Sequence, residues 1–462
     1  MTRKHSYLVG AALAVVAIVV AVLFCLRGRR DDCSAALPED VTLVGRVNLK
    51  NLMLENGLSL SDLKDFVFSP DDSGVDFAQT AYVFAFQSYF GAVIPLDDKD
   101  DFLNKTAPYH GEMERQRGLS WTTMEGSFLL VADDDKAMLV GPATLSEQDA
   151  LRNTLYNCMT KGGGGANGEL FASLDERKEP VAVATTMGAI PEQYCEWICN
   201  TIPEGVAPED LTLCAGLSAH KNCLSLSVSL LADGKKAGKF IEELNSVVKP
   251  IDASLFATAT PHAFMHLETG IRGESLITLL RKNPETRTKM LGANMIFDLD
   301  MILKSIDGDV SLTLPAFEPF GQSVLVQANI TDDKFMENVS SWNEGASENA
   351  GVQFLPARND CYLCAYQNMV CYFGVRDKRL FISNKERYTL AQTDAMVKAP
   401  EEAKGKRVYA VVDVSRLTDM LFFLPEGLKT LQRLTLACQD VNEWTLTLEA
   451  DEDVDILKSL IK

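Results

Sequence analysis

The side chains with the most chemical potential fall in four acidic clusters: Asp97-Asp98-Lys99-Asp100-Asp101, Asp233, Asp332-Asp333 and Asp451-Glu452-Asp453-Val454-Asp455. Carboxylates at such density suggest calcium, which takes six to eight oxygen ligands. Each cluster, however, stands directly before an expected helix, beginning at Phe102, Phe240, Phe335 and Ile456. There a carboxylate accepts from the free N–H groups of the first turn and meets the positive end of the helix dipole. Asp451 to Asp455 also continues with Ile456 where a calcium loop needs Gly. Capping is therefore the reading for all four, and Asp133-Asp134-Asp135 is read as a hairpin turn.

Cysteine spacing raises metal and redox chemistry. Cys361-x-x-Cys364 has no second matching pair, and on a strand its members point to opposite faces. Cys195 and Cys199 lie one helical turn apart, the spacing of small buried side chains. Cys364 and Cys371 are the best candidates for a disulfide, facing each other across a hairpin that turns at Gln367-Asn368. His262 and His266 imitate a helical metal pair, but Pro261-His-Ala-Phe-Met-His-Leu reads as strand, which separates them by about 13 Å. His110 and His220 fall in expected loops without a Gly-x-Ser-x-Gly nucleophile, so no triad is expected. Ser61-x-x-Lys64 and Ser246-x-x-Lys249 match the Ser-x-x-Lys of penicillin-interacting enzymes, yet neither has a Lys-Thr-Gly. Gly162 to Gly165 lacks the Lys-Ser/Thr of a phosphate loop. No catalytic residue, cofactor site or metal site is assigned.

The elements that carry these residues repeat. A module of strand, helix, hairpin and closing helix opens at Val41-Thr-Leu-Val-Gly-Arg-Val, Val181-Ala-Val-Ala-Thr-Thr-Met, Ala263-Phe-Met-His-Leu and Val408-Tyr-Ala-Val-Val-Asp-Val. Ile202-Pro-Glu-Gly and Leu424-Pro-Glu-Gly close the first helix of two copies, and strands of period-two alternation follow both. Such alternation predicts one buried and one wet face. A second module, three strands and a helix, covers about 118–160 and 350–397. The order first, second, first module fills 37–250 (about 37–115, 118–160 and 180–250) and again 255–462 (about 255–345, 350–397 and 405–462). The expected fold is α+β, duplicated modules of antiparallel sheet with helices on one face. Lys161-Gly-Gly-Gly-Gly-Ala-Asn-Gly168 reads as a flexible linker between modules.

Residues 1–30 are a different element. Tyr7 to Leu26 are twenty uncharged residues, long enough as a helix to span a bilayer core of roughly 30 Å. Arg3 and Lys4 before it nearly balance Arg27, Arg29 and Arg30 after it, so charge does not orient it. A single span ahead of a long body is the pattern of a signal-anchor, which places residues 31–462 on the exported side. A lipoprotein with lipidated Cys25 is the alternative, opposed by bulky Phe24 and the basic run that follows. Cleavage after Ala36 is too far from the apolar stretch. Five of the 44 Lys and Arg precede residue 31 whereas all 64 Asp and Glu follow it, leaving the body at −25. That excludes nucleic acid as an expected partner and leaves membrane attachment to the helix.

Leu37-Pro38-Glu39-Asp40-Val41, then Val47-Asn48-Leu49-Lys50-Asn51-Leu52 and Gly57-Leu58, resembles the start of a family of uncharacterised Bacteroidetes envelope proteins with a domain of unknown function. Members are often lipoproteins. The resemblance implies export and supplies no catalytic residues. The expected protein is a membrane-anchored envelope binding or scaffolding module, with another envelope protein or glycan as partner. The alternative is a hydrolase of cell-wall or glycan material, which requires a cleft holding carboxylates about 5 to 10 Å apart.

Overall fold

The computed structural model describes residues 33–56, 73–191, 193, 201–256, 263–316, 322–343, 351–358, 361–366, 369–389, 400–416 and 429–457. The span Tyr7 to Leu26, Cys25, Ser61, Lys64, Cys195, Cys199 and His262 lie outside them. No helix among the described residues is long and apolar enough to cross a membrane. The chain divides into two compact units, one of Met1–Ile190, Thr212–Leu226 and Asp455–Lys462, the other of Pro191–Leu211 and Ser227–Val454.

The first unit is built on β1 (Val41–Val47), β2 (Ala81–Phe86), β3 (Tyr89–Pro95), β4 (Glu114–Gln116), β5 (Leu119–Met124), β6 (Phe128–Ala132), β7 (Lys136–Gly141), β8 (Val181–Thr186) and β9 (Leu211–His220). These pair antiparallel in the order β4-β5-β6-β7-β3-β2-β1-β8-β9. His220, expected in a loop, ends β9. Apolar side chains are buried on both faces, as the near-continuous run Phe128-Leu-Leu-Val-Ala132 requires. On one face Val44, Phe84, Val131 and Met138 meet Leu151, Leu155 and Cys158 of α3 (Leu145–Lys161) and Leu174 of α4 (Glu169–Asp175). On the other, Val47, Ala92, Ile94 and Leu130 meet Leu52 of α1 (Leu49–Glu55) and Phe102 of α2 (Lys99–Thr106). Helices confined to one face, the expectation from sequence, are thus replaced here by helices on both. Each buried Val, Leu, Ile, Phe or Met among them contributes roughly 1.5–3 kcal/mol of burial.

The glycine run is a packed segment rather than a free linker. Gly163 N–H donates to Ala35 O at 2.8 Å and Gly165 N–H to Leu37 O at 2.9 Å. A Cβ on Gly163 would sit 2.0 Å from Leu37 O, and one on Gly165 2.1 Å from Pro38 O. Only backbone without side chains can lie this close, so the composition that suggests mobility serves close approach.

β10 (Cys223–Ala232) begins in the first unit and continues from Ser227 in the second, where it is followed by α5 (Gly234–Val247), β11 (Val248–Lys249), β12 (Met265–Arg272), α6 (Gly273–Leu280), α7 (Pro284–Asn294) and α8 (Leu299–Ser305). Then come β13 (Ile306–Leu314), β14 (Leu325–Ile330), β15 (Val352–Pro356), β16 (Tyr362–Tyr366), β17 (Met369–Arg376), β18 (Arg379–Ser383), β19 (Val408–Asp413), β20 (Leu431–Asp440) and β21 (Glu443–Ala450). Residues 227–250, read from sequence as the end of the first half, belong to this unit. The antiparallel order is β15-β16-β17-β18-β14-β13-β12-β19-β20-β21, with β11 also on β12. Its first nine strands follow the same succession of places along the chain as the nine of the first unit. One face packs Ile306, Ile330, Phe354 and Phe373 around Trp342, with ring centroids 5.3 Å apart for Trp342 and Phe354. The opposite face is where the sequence pattern inverts.

Candidate functional site

Period-two alternation on β12 and β13 places His266, Glu268 and Gly270 on one face with Asp309, Ser311 and Thr313, and Leu267, Leu312 and Leu314 on the other. The polar set is the buried one. His266, Glu268, Asp309, Ser311 and Thr313 are all at most 3% exposed, while Leu267 and Leu312 are half-buried. The register sets Glu268 opposite Ser311, His266 opposite Thr313 and Gly270 opposite Asp309. Glu268 and Asp309 are therefore diagonal neighbours, within side-chain reach.

A strap, Ile251 to Phe256, closes this face. Its N–H groups at Asp252 and Ser254 donate to the two oxygens of Asp309, each at 3.2 Å, and the Ser254 hydroxyl adds a bond of 3.0 Å. Leu255 N–H donates to Glu268 Oε1 at 3.3 Å. Phe256 lies over the His266 ring, centroids 4.1 Å apart, and Tyr409 of β19 stands 6.0 Å beyond it. Ala253 takes a φ of 57°, in the left-handed region that costs an ordinary residue about 1–2 kcal/mol. The strap's buried donors thus have acceptors, which they need when withdrawn from water.

His266 joins a hydroxyl to a carboxyl. Its Nδ1 is 2.8 Å from Thr313 Oγ1 and its Nε2 is 3.2 Å from Glu268 Oε2. Hydroxyl, imidazole and carboxyl in series is the connectivity of a hydrolase triad, one that no motif in the sequence announces. Electrostatics disarm it. Burial pushes Glu268 up to about 8, helped by its hydrogen bond to Asp309 and that residue's charge, and opposed by the N–H groups of Leu255 and Phe256. Burial pushes His266 down to about 4. At neutral pH the imidazole is uncharged and Glu268 keeps its proton, donating it to Asp309. The consistent tautomer carries its proton on Nε2, with Thr313 donating to Nδ1. A protonated carboxyl offers an imidazolium no charge, and a threonine at 0% exposure meets no substrate.

Neither alternative chemistry fits better. Glycoside hydrolysis wants two carboxyls about 5 to 9.5 Å apart, and these are in hydrogen-bond contact. A cation wants bare oxygens, and these oxygens face N–H donors; among the described residues no group of three His, Cys, Asp or Glu is placed to hold a metal. What the arrangement does is tie the strap to the sheet.

The other sequence candidates remain apart. Asp98 caps α2 by accepting from Asp101 N–H at 3.0 Å, and Asp133 accepts from Asp135 and Lys136 in its turn. Asp332 accepts from Lys334 N–H at 3.2 Å, whereas Asp233 and Asp333 make no side-chain capping bond. Ser246 donates to Glu243 O while Lys249 reaches Asp307, so that Ser-x-x-Lys is not joined. His110 is held between the carbonyls of Gly111 and Leu103. Cys361 and Cys364 pack in different clusters, and Cys364 faces Cys371 in register. Glu268 and Asp309 were missed from sequence, although His-x-Glu-x-Gly and Asp-x-Ser-x-Thr in register carry the signal.

A family model described as "Domain of unknown function (DUF4836)" matches residues 36–432. A search of curated proteins finds no match. Among solved structures, crystal form I of TP0453 is similar at 13% identity over 47% of this chain and 88% of that one, with a TM-score of 0.28. Crystal form III is similar at 11% identity over 48% and 89%, with a TM-score of 0.29. These are distant likenesses.

Proposed function

The chain belongs to the DUF4836 family, and we propose that within that family of unknown function it is a membrane-anchored, exported binding or scaffolding protein of a bacterial envelope. The observation that carries this reading is the use made of its most reactive convergent groups. Thr313, His266, Glu268 and Asp309 are spent internally, holding the 251–256 strap to the sheet. Buried acid groups kept for framework make a rigid surface to display rather than a cleft to turn substrate over. The apolar span Tyr7 to Leu26 and the body's charge of −25 support attachment through that span alone. The common strand succession of the two units supports a duplicated body.

Crosslinking in intact native cells, followed by solubilisation of the full-length chain, tests the role. The reading expects one envelope protein recovered in fixed stoichiometry with it. Recovery of the chain alone, together with hydrolysis of cell-wall glycan by the purified protein, would overturn it. Membrane-impermeant thiol labelling of intact cells tests the side; modification of a demonstrably reduced, exposed cysteine only after lysis would refute export.

A further inference from the structure

We propose that Cys364 and Cys371 are a redox-active pair that a small disulfide oxidant closes into a reversible cross-strand disulfide, a site independent of the binding role proposed above. The two residues are direct partners in the β16–β17 register. Antiparallel partners have Cα atoms about 4.5 or 5.5 Å apart, and both spacings lie within the 4.4–6.8 Å that a disulfide bridges. Their side chains share a face, and the two thiols are already hydrogen-bonded to each other. The register therefore puts the pair within bridging range.

The surroundings favour Cys371 as the attacking sulfur. Both thiols are half-buried, but Cys371 follows Met369 and Val370, exposed at 66% and 41%, and the β17–β18 ladder begins only at Tyr372. The hydrogen bond from Cys364 lowers the Cys371 thiol to about 7, whereas the same bond and burial raise Cys364. The shared hydrogen bond thus favours thiolate on Cys371 over Cys364. Cys361, the third thiol nearby, is 3% exposed and packs with Leu325 and Phe381 in a separate cluster, facing away from the pair.

The exchange balances with a glutathione-type disulfide. Cys371 Sγ attacks one sulfur of the oxidant, forming a mixed disulfide and expelling one thiolate. Cys364 loses its proton and attacks Cys371 Sγ, and the second thiolate leaves. The pair gives up two electrons and two protons, which the two released thiols carry away.

The test uses the full-length chain in detergent, equilibrated with oxidised and reduced glutathione, alkylated and digested between Arg358 and Arg376. Tandem mass spectrometry should find the peptide lighter by two hydrogens, with the one remaining alkyl group on Cys361, and dithiothreitol should restore three alkylated cysteines. Cys364→Ser should retain glutathione on Cys371. Three alkylated cysteines at the most oxidising ratio in a chain of unchanged circular dichroism would overturn the proposal. So would a bond to Cys361, or a Cys364→Ser chain that takes up no glutathione at Cys371.

Discussion

Replacing Glu268 by Gln should remove a pH dependence that the wild-type chain cannot avoid. Glu268 sits at about 8 in the folded state against an ordinary 4.5, so between those values the folded chain holds a proton that the unfolded chain has lost. Stability therefore falls as pH rises through this window, by about 1.4 kcal/mol per unit and about 5 kcal/mol in all. His266 acts in the opposite sense: at about 4 against an ordinary 6.5, it stays neutral folded while the unfolded ring protonates, and about 3 kcal/mol is lost as pH falls from 6.5 to 4. The two slopes cancel between pH 4.5 and 6.5. Above 6.5 only the Glu268 slope remains, leaving a loss of about 2 kcal/mol by pH 8. Urea unfolding of wild type and Glu268→Gln across pH 4.5–8.5 at constant ionic strength reads this directly, because the difference between the curves cancels every other titrating group. The difference should move by several kcal/mol in favour of Gln as pH rises. Parallel curves, displaced by a constant amount, would refute the proton-sharing account.

Five further substitutions have outcomes that follow from the structure. Ser311 Oγ is buried opposite Glu268 without a hydrogen-bond partner, so Ser311→Ala should be neutral or stabilise by about 1 kcal/mol in denaturant unfolding. Gly163→Ala should cost at least about 2 kcal/mol, because its Cβ meets the Leu37 carbonyl; Gly238→Ala, in open space on α5, should gain up to about 1 kcal/mol. Asp98→Ala should cost about 1 kcal/mol as a lost cap. Asp233→Ala, with no capping bond to lose, should cost a few tenths of a kcal/mol, and equal losses at the two sites would contradict the assigned roles.

How much of this was legible depends on what each pattern encodes. Alternation at Leu431 to Asp440 and Glu443 to Ala450 announces strands, and the structure has them as β20 and β21. The partnership of Cys364 and Cys371 was legible too, because a two-residue turn fixes register locally. Alternation does not say which face is buried. On β12 and β13 the assumption that apolar faces go inward assigns His266, Glu268, Asp309 and Thr313 to solvent, and tertiary burial reverses it. The glycine run misleads for a related reason: a lack of side chains permits both mobility and the closest packing, and only the neighbour, Ala35 to Pro38, decides between them.

Both units must satisfy the backbone of the segment that leads into their first central strand, and they do so with different chemistry. Cys33 to Leu37, ahead of β1, buries Cys33, Ala36 and Leu37 against Val44 and Phe84, and its carbonyls accept from Gly163 and Gly165. Ile251 to Phe256, ahead of β12, buries Ile251, Ala253 and Phe256 beside Tyr409, and its N–H groups donate to Asp309 and Glu268. The first arrangement is backbone to backbone and indifferent to pH. The second depends on carboxyl groups held out of water, of which Glu268 resists ionising until about pH 8. Apolar replacements at Glu268 and Asp309 would not convert the second into the first, since the strap's N–H groups would be left without acceptors, a loss of roughly 1–3 kcal/mol for each. The strap's hold on the sheet therefore changes with pH where that of Cys33 to Leu37 does not, and hydrogen exchange at Asp252, Ser254 and Leu255, corrected for intrinsic rates, should show protection declining from pH 6.5 to 8 while that of Gly163 and Gly165 stays level.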